Sequence, residues 1–202
     1  MKTLKRFLTR LARFFGLSAT ETLDPLTSLA QKIEPRTTLE TIPLAESQKQ
    51  ILNDISTHVR DSRSQPGGET IVLFAGVDNS GKTNAAEAVA RDLDRDLYRV
   101  DLNRVISKYI GETEKNLDRL FNAAESAGAI LFFDEADALF GKRSEVKDSH
   151  DRYANIEISY LLQQLETFNG IAILATNNEE DTDDTFRRRI RFIVESIVQR
   201  IA

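Results

Sequence analysis

The chain has 202 residues, 41% hydrophobic and 29% charged, which are the proportions of a soluble globular protein. It contains no cysteine and only two distant histidines, His58 and His150, which argues against a disulfide framework, a cysteine-based zinc site and a histidine-rich metal centre. The formal charge is −5, but residues 1–17 carry five basic residues and no acid, so the rest carries −10, a charge that disfavours broad binding to nucleic acid.

Residues 1–17 are predicted to form a basic amphipathic helix. Apolar residues recur there at helical spacing: Leu4, Leu8, Leu11 and Phe15. Such a helix lies on an anionic membrane surface or docks on a partner; the alternative is packing on its own domain or on a neighbouring subunit. Residues 18–43 are rich in threonine and serine, are interrupted by prolines, and are predicted to be a linker.

Residues 44–195 show the pattern of an alternating α/β domain, followed by a short tail, 196–202. Helical spacing is found over 44–61, 112–127 and 153–168. Apolar runs predict five strands, at 70–75, 97–101, 129–133, 170–175 and 191–194. Continuous apolar strands separated by helices indicate a parallel sheet covered on both faces. The predicted fold is therefore an α/β, three-layer αβα sandwich with a mostly parallel five-stranded sheet.

A phosphate-binding loop follows the first of these strands. It reads Gly76-Val77-Asp78-Asn79-Ser80-Gly81-Lys82-Thr83 and continues at Asn84 into a helix-forming stretch. The run fits G-x-x-x-x-G-K-[ST], in which backbone N–H groups and a helix N-terminus surround nucleotide phosphates. Lys82 is predicted to reach the β- and γ-phosphates and Thr83 to ligate Mg²⁺. This pattern is typical of the P-loop NTPase fold; a glycine turn that fits by chance is the alternative.

Two acidic residues, Asp134 and Glu135, directly follow the third predicted strand. Because strand carboxyl ends line the ligand crevice of a parallel sheet, both acids are expected to face the phosphates. Asp134 is predicted to hold Mg²⁺ and Glu135 to polarise a water for attack on the γ-phosphate. Capping of the next helix is the simpler alternative, and both roles can hold together.

Polar residues also follow the fourth predicted strand. Asn177 is placed to contact the attacking water and the γ-phosphate, although asparagine is a common turn residue at such a point. Four arginines come next, at positions 187, 188, 189 and 191. They form either a solvated face or a group that neutralises transition-state charge across a subunit boundary.

Taken together, the motifs from about Ile42 to Phe192 resemble those of the AAA+ ATPases, and among these the AAA clade. The resemblance implies that the phosphate loop is Walker A, Ile130–Glu135 is Walker B, and Asn177 is sensor 1. It likewise implies that Arg188 and Arg191 are arginine fingers. The triplet Tyr109-Ile110-Gly111 is similar to the first pore loop, which grips an extended polypeptide, and Gly141 to Arg152 would form the second, charged pore loop.

The resemblance implies an ATPase that binds ATP and Mg²⁺ and remodels or unfolds a protein client in a homo-oligomeric ring, a hexamer. The sequence departs from the family pattern at two points. Asp78 adds negative charge near the phosphates, at a cost of about 1 kcal/mol in nucleotide binding. Only eight residues, 195–202, follow the last predicted strand, too few for the helical lid of the family.

Two alternatives therefore stay open. One is a nucleotide-binding regulatory or interaction module with weak or no hydrolysis, which loss of the lid would favour. The other is a DNA-directed loader, which the pore-loop triplet and the acidic charge disfavour. The absence of cysteine suits the reducing cytosol, so we expect a cytoplasmic protein, peripheral to a membrane if residues 1–17 bind one.

Overall fold

The computed structural model of the protein describes residues 25–62, 70–76, 79–106, 111–137, 149–177 and 187–195. The predicted basic helix and the tail 196–202 lie outside these ranges. The helices are α1 Pro25–Leu29, α2 Glu46–Ser62, α3 Asn79–Asp92, α4 Leu102–Val105, α5 Glu112–Ala127 and α6 Ser149–Thr167. The strands are β1 Ala30–Ile33, β2 Thr70–Ala75, β3 Leu97–Val100, β4 Ile130–Phe133, β5 Ile171–Thr176 and β6 Phe192–Val194.

The six strands form one sheet in the order β1-β3-β4-β5-β2-β6. In this order, each pair of neighbours from β3 through β4, β5 and β2 to β6 is parallel. β1 pairs antiparallel with β3 at one edge. Every residue of β2, β4 and β5 is buried. Their uninterrupted apolar sequences are those of strands covered on both faces. The predicted α/β fold with a mostly parallel sheet is therefore confirmed.

Helices cover the sheet on both faces and bury two apolar layers. On one face α1, α5 and α6 pack on side chains that include Leu73, Leu131 and Leu174. On the other, α2 and α3 pack on side chains that include Phe74 and Phe132. Alternate strand residues supply the two layers because successive side chains point to opposite faces. None of the described helices combines the length and apolarity needed to cross a membrane.

The prediction that residues 18–43 form a linker is wrong for the part that the structure describes, residues 25–43. Leu26 of α1 is 1% exposed and Ile42 is 2% exposed, in opposite core layers. The Glu87 carboxylate on α3 accepts hydrogen bonds from the backbone N–H groups of Arg36 and Thr37, at 2.9 and 3.2 Å. This segment therefore belongs to the domain and adds β1, which makes six strands instead of the predicted five.

The sheet register brings the ends of β2 and β5 together. These strands pair in parallel along their whole lengths, from Thr70 opposite Ile171 to Ala75 opposite Thr176. β4 flanks β5 on its other side, with Phe133 opposite Leu174. The segments that leave β2, β4 and β5 at their carboxyl ends are consequently neighbours, and all three carry predicted site residues.

Candidate active site

Lys82 lies at the centre of the candidate site and is 1% exposed. Its Nζ donates hydrogen bonds to the backbone oxygen of Thr176 at 3.0 Å, to Oδ1 of Asn177 at 2.7 Å and to the backbone oxygen of Gly76. A buried ammonium needs such acceptors to offset its lost hydration. Lys82 and Asn177, which are 95 residues apart, are thus in direct contact.

The described part of the phosphate loop is anchored to β5. The Gly76 N–H donates to the backbone oxygen of Thr176 at 3.1 Å. α3 begins at Asn79, within the predicted loop, and continues through Gly81 and Asn84. Its N-terminus, where partial positive charge collects, therefore lies at the carboxyl edge of the sheet. Val77 and Asp78, and the side chains of Asn79 and Ser80, lie outside the described residues.

Asp134 and Glu135 follow β4 as the sequence predicts. The Asp134 side chain is 19% exposed, and its Oδ1 accepts a hydrogen bond from the Glu135 N–H at 3.2 Å. Glu135 is exposed and has φ of +54°, a left-handed conformation that costs a residue with a Cβ about 1 kcal/mol or more. The next residue, Ala136, holds this turn against β5 by donating to the backbone oxygen of Ala175 at 2.7 Å.

Asp137 is a site residue that the sequence reasoning missed. Its Oδ1 accepts hydrogen bonds from Thr176 Oγ1 at 2.7 Å and from the Asn177 N–H at 3.0 Å. These bonds tie the end of β5 to the segment after β4 and so orient Asn177. A third acid three residues after Asp134 was the available signal, because that spacing returns to nearly the same side of a helical turn.

Arg99 of β3 was also missed. Its Nη2 lies 3.4 Å from Thr83 Oγ1, and its Nε lies 3.5 Å from Asp134 Oδ2. The available signal was a charged residue inside an otherwise apolar strand. Since one guanidinium contacts both Thr83 and Asp134, these two predicted magnesium ligands lie near each other. A hydroxyl and a carboxylate are hard oxygen donors of the kind that Mg²⁺ prefers, so the residues present fit that ion and would hold it.

The predicted arginine fingers make no contact with these site residues that the structure describes. All four arginines between positions 187 and 191 are exposed. Arg189 forms an ion pair with Glu166 on α6, and the Arg191 N–H donates to the backbone oxygen of Ile71 at 2.9 Å. Among the described residues, neither Arg188 nor Arg191 has a partner for its guanidinium. The Arg189 guanidinium thus forms an ion pair within the chain, whereas those of Arg188 and Arg191 form none with described residues.

The predicted pore segments are described only in part. Tyr109 and Ile110 lie outside the described residues, and Gly111 precedes α5 with φ of +77°, which favours glycine. Of the predicted second loop, Gly141 to Arg152, residues 149–152 are instead the first turn of α6, and the others lie outside the described ranges. Thr113 Oγ1 donates to Glu157 Oε1 at 2.9 Å, so the helices that follow the two segments are joined.

Comparison with known proteins identifies the family. The model described as ATPase family associated with various cellular activities (AAA) matches residues 72–199. The chain belongs to this family. The uncharacterized AAA family ATPase y4kL of Sinorhizobium fredii is 32% identical over 185 residues, which are 85% of this chain and 56% of that protein. The predicted AAA+ membership is therefore confirmed.

Other AAA relatives match a shorter region. The cell division cycle protein 48 homolog of Archaeoglobus fulgidus is 34% identical over 58% of this chain and 16% of its own length. The 26S proteasome regulatory subunit 10B homolog A of Arabidopsis thaliana is 35% identical over 58% of this chain and 31% of its own. The chain thus spans about half, or less, of the length of these curated relatives. Family membership associates it with ATP binding and ATP-driven activity in general.

A solved structure supports the fold. A chain in the structure of the E. coli MS115-1 HORMA:CdnC:Trip13 complex aligns with a TM-score of 0.63 over 85% of this chain and 70% of that chain. The sequences are 18% identical, so the likeness concerns the fold alone. It agrees with the P-loop NTPase fold expected from the phosphate loop.

Proposed function

We propose that this chain binds ATP with Mg²⁺ and hydrolyses it to ADP and phosphate. The observation that carries the proposal is the 2.7 Å contact between Lys82 Nζ and Asn177 Oδ1, at the sheet edge where Asp134 and Glu135 also lie. It joins the residue expected to bind phosphate with the residue expected to orient water. Residues Gly76 to Asn84 form the phosphate cradle, and Thr83 and Asp134 hold the metal.

The chemistry expected of each side chain follows from its position. Lys82 exchanges its protein oxygens for oxygens of the β- and γ-phosphates. The Glu135 carboxylate, exposed next to the site, accepts a proton from the attacking water, and Asn177 orients that water. Bound Mg²⁺ supplies neutralisation of charge that develops on the phosphate oxygens.

We further propose that the active form is a homo-oligomeric ring, a hexamer, in which Arg188 and Arg191 act on the nucleotide of a neighbouring subunit. The exposure of both guanidinium groups, and their lack of ion pairs with described residues, support action between subunits. A protein client gripped by Tyr109, Ile110 and Gly111 would couple hydrolysis to remodelling. A proteasome regulatory subunit among the relatives supports a protein client. A cytoplasmic location and membrane contact through residues 1–17 remain part of the same proposal.

The direct test compares ATP binding with ATP turnover in Glu135→Gln and Lys82→Ala. Glu135→Gln should bind ATP with unchanged affinity and lose about 100-fold or more in turnover, because it cannot accept a proton. Lys82→Ala should lose binding and turnover together. Glu125→Gln, an exposed site on α5 with the same change in charge, is the matched control and should match the unchanged protein.

Turnover that survives Glu135→Gln would contradict the assigned mechanism. ATP binding without measurable turnover in the unchanged protein would favour the nucleotide-binding regulatory module instead.

A further inference from the structure

The strand pattern explains how an arginine reaches the centre of the site. Leu97 belongs to the core layer under α2 and α3, whereas Tyr98 and Val100 belong to the opposite layer. Because side chains alternate along a strand, Arg99 lies on the α3 side, the side that carries Thr83. From there its guanidinium contacts Thr83 Oγ1 at 3.4 Å and Asp134 Oδ2 at 3.5 Å.

Both contacts are longer than a typical hydrogen bond, and one N–H donor of Arg99 has no acceptor in the described part of the chain. The Arg99 Nε atom is shielded from solvent and donates no hydrogen bond to any described residue, although it lies within ion-pairing distance of Asp134. A shielded N–H without an acceptor is costly, so a purely structural arginine would be expected to bond more closely. The guanidinium thus lies between the Thr83 hydroxyl and the Asp134 carboxylate without a close hydrogen bond to either.

We propose that Arg99 is a positioning residue that acts as a resident cation of the magnesium site. In the nucleotide-free protein it balances the Asp134 carboxylate and contacts the Thr83 hydroxyl. With Mg²⁺ held by Thr83 and Asp134, repulsion between like charges would move the guanidinium off these oxygens and toward the phosphates, which arginine binds well. This inference rests on the proposed nucleotide binding and concerns how strongly that binding depends on the metal.

If Arg99 is a resident cation, it alters how strongly ATP affinity depends on Mg²⁺, which a purely structural arginine would not do. Without Mg²⁺, Arg99 remains beside the phosphates and partly offsets their charge, so nucleotide still binds. With Mg²⁺, the cost of displacing Arg99 subtracts from the gain that the metal brings. The ratio of the ATP dissociation constant in chelator to that in Mg²⁺ is therefore smaller with Arg99 than with a neutral side chain.

The experiment measures this ratio by calorimetric titration of ATP into the full chain, in excess MgCl₂ and in EDTA at matched ionic strength. Arg99→Gln should raise the ratio about fivefold, mainly by weakening binding in EDTA. Arg99→Lys keeps the charge but loses the planar pair of guanidinium donors, so it should raise the ratio about twofold. Arg104→Gln removes the same charge from an exposed arginine whose side chain is 61% accessible, and should leave the ratio unchanged.

The outcomes separate the two proposals. A ratio unchanged in both Arg99 variants, or dissociation constants that rise equally in both buffers, would overturn the role of Arg99 while leaving ATP binding intact. No binding by the unchanged protein in either buffer would overturn both proposals. Circular dichroism melting checks that each variant folds; if Arg99→Gln does not, the Arg99→Lys ratio decides.

Discussion

Asp137 shows how a residue outside the phosphate loop can orient the residues at the end of a neighbouring strand. Its single Oδ1 atom accepts from Thr176 Oγ1 and from the Asn177 N–H. Asn177 in turn accepts from Lys82 Nζ. A chain of three polar groups therefore links the segment after β4, the end of β5 and the phosphate loop, so a shift at one end misplaces the group at the other.

At this residue scale we expect Asp137→Ala to lower ATP turnover about tenfold, because Asn177 loses the bond that orients it. ATP affinity should change less, since the hydrogen bonds of Asp137 go to Thr176 and Asn177 and the phosphate-binding side chain of Lys82 is unchanged. Asp137→Asn retains an amide oxygen that can accept both hydrogen bonds and should recover most of the turnover. Steady-state kinetics of the two variants tests this. Equal turnover in Asp137→Ala and the unchanged protein would show that Asp137 has no positioning role.

The sequence predicted the site residues that stand in a motif and missed those that tertiary contacts bring to the site. Lys82, Asp134 and Glu135 stand in short patterns with fixed chemistry. Asp137 and Arg99 acquire their roles from contacts spanning 39 and 16 residues, respectively, which depend on how the strands align in the sheet. No local pattern encodes that alignment.

At the scale of elements, apolar runs predicted the buried strands but not the edge strand β1. β2, β4 and β5 are buried at every position, so their sequences are unbroken apolar runs. β1 has four residues, of which Gln31 and Lys32 are exposed, and this leaves neither a run nor an alternation to detect. The helix α1 has only five residues, too short to show helical periodicity.

The place of α1 in the core yields a stability prediction. Leu26→Ala should lower the free energy of unfolding by about 3 kcal/mol, because the side chain is 1% exposed and its removal leaves a cavity in the core. Gln31→Ala, on the exposed part of β1, should change it by less than about 0.5 kcal/mol. Urea denaturation measures both. If Leu26→Ala proved as mild as Gln31→Ala, residues 25–33 would be a linker after all.

At the scale of the whole molecule, our proposal assigns the nucleotide site to one chain and the exposed arginines to the site of a second. Lys82 contacts Asn177, and Asp134 contacts Arg99, within one chain. The guanidinium groups of Arg188 and Arg191 have no such contacts among the described residues, although Arg189 between them is paired with Glu166. Within our proposal, each chain therefore supplies a nucleotide site to itself and arginines to its neighbour.

A mixing experiment tests this account most directly. One variant, Glu135→Gln, has an inactive site and intact arginines; the other, Arg188→Ala with Arg191→Ala, has an intact site and no arginines. Each should turn over ATP poorly alone. Mixed in equal amounts at a concentration that allows assembly, they should exceed the sum of their separate rates severalfold, because arginines of the first complete sites of the second. A mixture that gives only the sum, at every concentration tried, would contradict a site completed between subunits.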